Sequence, residues 1–156
     1  MFLYKKIIQS LLNKNISVSI AESFTGGLLT KAFTDTPGIS KIFHMGLITY
    51  SNKSKNLLLN VPILTIKKNG AVNKEIAILM SNNLSKISKS DLCISTTGIA
   101  GPSGGTKKKP VGLIFLGIKK DNKFKIKKFV FKNKGREYIQ KITVKKSLEL
   151  ILGLIK

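Results

Sequence analysis

The sequence predicts an α/β fold, a three-layer α/β/α sandwich with a mixed β-sheet. Segments with helical periodicity alternate with short apolar runs in the first half of the chain, which is typical of strands joined by helices. In the second half, two strand patterns separated only by the turn 121–123 predict a hairpin. A helical segment over about 136–154 follows the hairpin and supplies a further layer.

The first four elements follow from apolar spacing and from turn residues. Apolar side chains three and four apart predict an amphipathic helix over 3–14. Alternating apolar and polar residues predict a strand over 16–21. A helix over 26–34 is expected to end before Pro37-Gly38, and a second strand occupies 46–50.

Three helices are expected in the middle of the chain. Ser51 or Asn52 is a suitable cap for a short helix that follows the second strand. Val61-Pro62 begins another short helix, which Asn69-Gly70 ends. The segment 73–87 carries apolar residues along one face and predicts a longer helix.

The second half completes the sheet. Residues 91–97 are apolar enough for a central strand, and a loop rich in Gly and Pro covers 98–110. The segments 111–118 and 124–131 predict the two hairpin strands. The last helix, over 136–154, then packs on the sheet.

Length and composition favour one cytoplasmic domain over residues 1–156. A chain of 156 residues buries roughly 70% of the surface that its unfolded form exposes. Cys93, the only cysteine, lies in an apolar run and is expected in the core. With one cysteine and one histidine, His44, a zinc site with about four such ligands cannot form, and no metal is expected. We expect neither a membrane span, which needs roughly 18 apolar residues, nor a signal peptide.

The formal net charge of +21 raises the question of nucleic-acid binding. The positive charges come from 27 lysines and a single arginine, Arg136, and the lysines are scattered along the chain. Nucleic-acid readers favour arginine because its planar fork binds bases and phosphates in pairs of hydrogen bonds. We therefore expect no nucleic-acid partner, although a basic surface would attract an anionic small substrate.

Three polar segments that contain Gly or Ser follow strand ends, at 22–27, 50–55 and 97–106. In open α/β sheets the ligand site lies at the carboxyl ends of the strands. These three segments are therefore expected to form one pocket.

Two of these segments offer several interpretations. Ser23 and Thr25 lie at the start of a helix, where free backbone N–H groups attract anions, or they are simply helix caps. The loop 97–106 suits close approach of backbone N–H groups to a phosphate, or it is an ordinary long loop. It matches neither a Walker loop nor a dinucleotide fingerprint.

A serine and a lysine in this region could act as nucleophile and base. Ser40 and Lys55 are candidates, with Tyr50 as a proton relay or an orienting group. Lys55 would need burial or a nearby positive charge to be neutral, since the free pKa is near 10.4. The alternatives are a turn role for Ser40 and a surface position for Lys55. His44 is expected to be structural, and no close pair of acids supports glycosidase chemistry.

Six short motifs occur in order along nearly the whole chain. They are Ala-Glu-Ser-Phe-Thr-Gly-Gly at 21–27, Pro-Gly-Ile-Ser at 37–40, Thr-Tyr-Ser-Asn-Lys-Ser-Lys at 49–55, Asn-Gly-Ala-Val at 69–72, Thr-Gly-Ile-Ala-Gly-Pro-Ser-Gly-Gly-Thr at 97–106 and Lys-Pro-Val-Gly at 109–112. Taken together, these motifs resemble the competence-damage-inducible CinA C-terminal family, and the resemblance depends on all of them occurring in order.

The resemblance implies a nicotinamide-nucleotide amidase with a three-layer α/β/α fold, usually dimeric. Such an enzyme converts nicotinamide mononucleotide and water to nicotinate mononucleotide and ammonia, with no cofactor. A homodimer, with no membrane partner, is therefore expected. The implied site residues are the nucleophile Ser40, its base Lys55, Tyr50 beside them, a second active-site serine Ser23, the pocket residues Thr25, Gly26, Thr97 and Gly98, and the nucleotide-contacting Arg136.

Three positions depart from the family pattern. The family commonly has Cys at Phe24, Ser at Ile39 and Ser at Asn73. Phe24 is a large side chain beside Ser23, and Ile39 removes one hydroxyl from a serine pair. The alternative function is therefore a catalytically silent nucleotide-binding module of the same fold.

Overall fold

A computed structural model describes residues 2–155, which form one five-stranded sheet between two layers of helices. The order of the strands is β2-β1-β3-β4-β5. In chain order the elements are α1 (Phe2–Asn13), β1 (Val18–Glu22), α2 (Leu28–Thr34), a 3-10 turn (Ile39–Lys41), β2 (Phe43–Ile48), α3 (Asn52–Leu59), α4 (Ile63–Asn69), α5 (Lys74–Ser88), β3 (Leu92–Gly98), β4 (Leu113–Lys120), β5 (Lys123–Val130) and α6 (Arg136–Ile155).

The sheet is mixed, as the sequence predicts. Strands β2, β1 and β3 run parallel to one another, because helices carry the chain back between them. Strands β4 and β5 form an antiparallel hairpin that adds to β3. The three-layer α/β/α prediction is confirmed.

Helices α1, α2 and α6 cover one face of the sheet. Alternation along β1 directs Val18 and Ile20 to this face, where they join a fully buried apolar cluster. Helix α6 contributes Leu148 and Ile151 to the same cluster. Burial of these side chains ties the last helix to the first strand.

Helices α3, α4 and α5 cover the opposite face. Ala21 of β1 and Cys93 of β3 point to this side and pack against Ile76 and Met80 of α5. Cys93 is fully buried, so the predicted core position is confirmed. Burial raises the pKa of its thiol.

The parallel register brings three strand ends to one edge. Glu22 is paired with Ile48 of β2 on one side and with Thr96 of β3 on the other. The segments that leave β1, β2 and β3 therefore begin next to one another, as expected for strands of this topology.

Several element boundaries differ from the sequence-based expectation by two or three residues, and two of these differences have a direct structural reason. Strand β2 begins at Phe43 rather than 46, because Phe43 already pairs with Val18 of the neighbouring strand. Helix α2 begins at Leu28, two residues after the expected start, because Gly26 and Gly27 both have positive φ. Ser51 caps α3 as expected and forms a reciprocal capping box with Ser54.

Strand β5 forms one edge of the sheet and is paired only with β4. Four of its eight residues are lysines. In residues 2–155, no helix is both long enough and apolar enough to span a bilayer.

Candidate active site

A cavity of about 250 Å³ opens at the edge where the carboxyl ends of β1, β2 and β3 meet. All three segments that the sequence analysis placed at this edge contribute to its walls. The lining residues are Ser23, Phe24, Tyr50, Lys55, Ala71, Val72, Thr97, Gly98, Ile99, Ala100, Gly101, Ser103, Gly104 and Arg136.

Ser23 and Lys55 form a direct pair in this cavity. The Lys55 Nζ donates to Ser23 Oγ at 2.9 Å and to the main-chain carbonyl of Thr49 at 2.8 Å. Ser23 directly follows β1, and its own N–H donates to Thr96 O at 3.1 Å. Lys55 lies in the first turn of α3, where the Ser51 cap fixes the start of the helix.

The environment of Lys55 favours a neutral amine. The side chain is 1% exposed, and no carboxylate forms an ion pair with it among residues 2–155. Burial disfavours the charged form and lowers the pKa of Lys55 to about 8. A lysine in this state can accept a proton from an adjacent hydroxyl near neutral pH.

Ser40 does not join this pair, which corrects the expectation that Ser40 lies within reach of Lys55. It lies exposed in the 3-10 turn before β2, at the amino end of that strand. The pair between Phe43 and Val18 places this turn at the amino edge of the sheet. Six residues of β2 separate Ser40 from the edge at which Lys55 lies, a span of about 20 Å.

Tyr50 and Arg136 close one side of the cavity. Arg136 Nη2 donates to Tyr50 Oη at 2.5 Å, and Nη1 donates to Gly101 O at 2.9 Å. Arg136 therefore joins the segment after β2 to the glycine-rich loop. Its guanidinium has five N–H donors, so it can bind an anion while these contacts persist.

Thr97 and Gly98 line the cavity where β3 ends. The Thr97 hydroxyl donates to Ala71 O at 2.8 Å and so fixes the wall contributed by the segment before α5. A Cβ on Gly98 would come within 2.3 Å of Ile114 Cδ1 and 2.9 Å of Phe24 Cε1. A side chain at this position would therefore force Ile114 and Phe24 to move.

Thr25 and Gly26 do not line the cavity, in contrast to their expected pocket positions. The Thr25 side chain is buried and shares a hydrogen bond of 2.8 Å with the Thr96 hydroxyl. Gly26 serves the turn through its positive φ of 59°. Both residues shape the segment that carries Ser23.

Sequence reasoning missed Glu22, the last residue of β1, whose side chain reaches the start of α2. Its carboxylate accepts hydrogen bonds from the N–H groups of Gly27, Leu29 and Thr30. The N–H groups that were expected to attract an anion are therefore already bound. The only sign of this contact in the sequence is an acidic residue a few positions before the start of the helix.

Sequence reasoning also missed Gln140. Its side-chain amide, one turn after Arg136 in α6, donates to Phe24 O at 2.8 Å. Phe24 itself is 5% exposed and packs with Ile114 and Ile139 while its ring borders the cavity. The large side chain that departs from the family pattern is thus part of the cavity wall.

His44 lies on the edge strand β2, away from the cavity. It is exposed, and its Nδ1 is 3.1 Å from Ser90 Oγ. Over residues 2–155, no three side chains of His, Cys, Asp or Glu lie close enough together to hold a metal ion.

Comparison with known proteins identifies the family. The family model of the CinA C-terminal domain matches residues 2–155. The chain belongs to the CinA C-terminal domain family.

Solved CinA structures share this fold. The competence/damage inducible protein CihA from Agrobacterium tumefaciens superimposes with a TM-score of 0.95 at 35% identity, covering 99% of this chain and 94% of that one. A CinA superfamily protein from Klebsiella pneumoniae shows the same fold, with a TM-score of 0.93 at 22% identity and coverage of 99% and 96%.

Curated CinA sequences that are similar to this chain are longer than it. A protein from Caldanaerobacter subterraneus, named as a competence-damage inducible protein, is 47% identical over 124 residues, which cover 80% of this chain and 30% of that protein. Its namesake from Clostridium botulinum strain Loch Maree is 42% identical over 145 residues, with coverage of 93% and 35%. The chain therefore spans about a third of the length of these relatives.

Proposed function

We propose that this protein is a nicotinamide-nucleotide amidohydrolase that converts nicotinamide mononucleotide and water to nicotinate mononucleotide and ammonia. The contact of 2.9 Å between Lys55 Nζ and Ser23 Oγ carries the proposal. It supplies a nucleophile and a base within hydrogen-bond reach, in a cavity at the expected edge of the sheet. The resemblance to the amidases supplies the substrate.

Ser23 is the nucleophile in this mechanism. Its Oγ attacks the carboxamide carbon while neutral Lys55 takes the hydroxyl proton, and a C–O bond forms. The resulting tetrahedral intermediate carries its negative charge on the former carbonyl oxygen. The carbonyl of Thr49 holds the lysine in place by accepting a second hydrogen bond from Nζ.

Lys55 then acts as an acid. Its ammonium gives the proton to the departing nitrogen, and the C–N bond breaks. Ammonia departs, and the acyl group remains bound to Ser23 as an ester. Water attacks this ester with the same amine as base. The C–O bond to Ser23 breaks, the proton returns to the serine, and the carboxylic acid is released.

Arg136 is placed to bind the phosphate of the nucleotide. It lines the cavity together with Gly101 and Gly104 of the glycine-rich loop. A guanidinium offers phosphate two parallel N–H donors, which a lysine cannot match. Tyr50 contacts this guanidinium and would orient it toward the substrate.

Ammonia release from nicotinamide mononucleotide tests the proposal. We expect steady release from the intact protein and a fall of at least about 1000-fold for Ser23→Ala and Lys55→Met, since both remove the covalent route. Ser40→Ala is the matched control, because it removes a serine hydroxyl at the opposite edge of the sheet. No ammonia from the intact protein would overturn the proposal, and retained substrate binding would then identify a silent nucleotide-binding module.

A further inference from the structure

We infer that Glu22 is a positioning residue that holds Ser23 in register with Lys55. Glu22 is the last residue of β1, immediately before Ser23, and its side chain is fully buried. It is not among the residues that line the cavity. Its influence on Ser23 must therefore act through the protein rather than through the substrate.

The carboxylate closes the turn that carries Ser23. Glu22 Oε2 accepts from Gly27 N at 3.2 Å and Leu29 N at 3.0 Å, and Oε1 accepts from Thr30 N at 2.7 Å. These three donors lie five to eight residues further along the chain. The side chain thus bridges the start and the end of the segment 23–27.

Among residues 2–155, no other side chain accepts hydrogen bonds from the N–H groups at the start of α2. The residue at the cap position is Gly27, with φ of 101° and no side chain to accept a hydrogen bond. The first N–H groups of a helix need acceptors, and a negative charge beside them is stabilised by the helix dipole. Glu22 meets both needs from the preceding strand.

The main chain of Glu22 also connects to Lys55. Its carbonyl accepts a hydrogen bond of 2.7 Å from Thr49 N, and the carbonyl of Thr49 holds Lys55 Nζ. Glu22 thus directly precedes Ser23 and is also linked to Lys55 by hydrogen bonds through Thr49. Because Glu22 does not line the cavity, its role is to position the pair rather than to contact the substrate.

Glu22→Gln is the direct test, because it keeps the shape of the side chain and removes one acceptor. The amide nitrogen of Gln carries two donors, so at least one of the three backbone N–H groups loses its partner. We expect Ser23 Oγ to move out of hydrogen-bond distance of Lys55 Nζ in a crystal structure of the variant. We expect kcat to fall about 10- to 100-fold with KM within about threefold of the parent value.

Ser19→Ala is the matched control. It removes a buried hydrogen bond of 2.8 Å from the same strand, at the end away from the cavity. We expect a similar loss of thermal stability with kcat unchanged. Glu22→Asp, which retains the charge but is about 1.5 Å shorter, provides a second variant if Glu22→Gln does not fold.

The kinetic readout rests on the proposed amidase, but the structural readout does not. An inactive parent protein would refute the amidase, and the distance between Ser23 and Lys55 in the variant would still decide the role of Glu22. An unchanged distance in whichever variant folds would overturn the inference. So would an equal fall in kcat for Ser19→Ala, because the effect would then follow from lost stability alone.

Discussion

Raising the pH is expected to activate the protein, because Lys55 must lose a proton before it can act as a base. Its pKa is lowered to about 8 by burial. The neutral fraction is then about 9% at pH 7 and about 91% at pH 9. We therefore expect kcat/KM to rise about tenfold over this range and to level off above about pH 9.

The assay is ammonia release at low substrate concentration, measured from pH 6 to pH 10. Under these conditions the pH profile reports groups of the free enzyme. Lys55→Met supplies the control, since its residual activity has no group of this kind to titrate. Enzyme returned to pH 7 after each exposure should recover its original rate, which excludes irreversible inactivation as a cause of the profile.

The same group makes stability depend on pH. The folded pKa of about 8 lies below the unfolded value of 10.5, so the unfolded chain binds more protons between these two values. The burial of Lys55 thus costs roughly 3 kcal/mol below pH 8, and this cost disappears as the pH rises toward 10.5. Urea melts should show the intact protein gaining about 1 kcal/mol relative to Lys55→Met between pH 7 and pH 9.

Two results would refute this reasoning. A kcat/KM profile that is still rising at pH 10 without levelling off would mean that the pKa of Lys55 is not lowered in the folded protein. A stability difference from Lys55→Met that is flat with pH would mean that the amine does not titrate in this range.

Three further substitutions test the rest of the site. Ser40→Ala should leave kcat and KM within about twofold of the parent, because Ser40 lies at the opposite edge of the sheet. A large loss of activity would contradict Ser23 as the nucleophile. Arg136→Lys should raise KM about tenfold, measured by ammonia release, because the three N–H donors of lysine cannot bond Gly101 O and Tyr50 Oη and also give a phosphate two parallel hydrogen bonds. An unchanged KM would place the phosphate elsewhere. Gly98→Ala should lower the free energy of unfolding by about 1–3 kcal/mol in urea melts, because the new Cβ would lie 2.3 Å from Ile114 Cδ1. A variant as stable as the parent would show that the cavity wall adapts to the added methyl group.

Local sequence patterns were sufficient to predict the fold. Alternating and helical spacings identify the elements because each face of the sheet is covered by helices, so that buried positions recur regularly. The sequence predicts the starts of β2 and α2 less accurately than it predicts the presence of these elements. Pairing with a neighbouring strand extends β2 to Phe43, and long-range pairing is not visible in local spacing.

The site was predicted only in part, and the serine shows why. Topology places Lys55, Tyr50, Thr97 and Gly98 at one edge, so the segments after β1, β2 and β3 could be found from strand order. The choice between Ser23 and Ser40 depended on which end of its neighbouring strand each residue adjoins, since Ser23 follows β1 whereas Ser40 precedes β2. Ser40 precedes β2 and Lys55 follows it, and this separation could have excluded Ser40 at the outset.

Glu22 illustrates a different limit. Sequence rules assign helix caps to the residue next to the helix, so an acceptor six residues before Leu28 is outside their reach. The glycines at 26 and 27 suggested an open anion site, but the turn that they permit brings the carboxylate back onto the helix. Tertiary structure decides whether one of the chain's own side chains binds the N–H groups at a helix start.

The lysines of β5 bear on the behaviour of the protein at high concentration. A strand that is paired on one side offers its free N–H and C=O groups to any other extended chain. Lys123, Lys127 and Lys128 are exposed along this strand, so an incoming copy would bring like charges into close contact. Mutual repulsion therefore keeps the sheet from growing by strand addition at this edge, and that protection weakens as salt screens the charges.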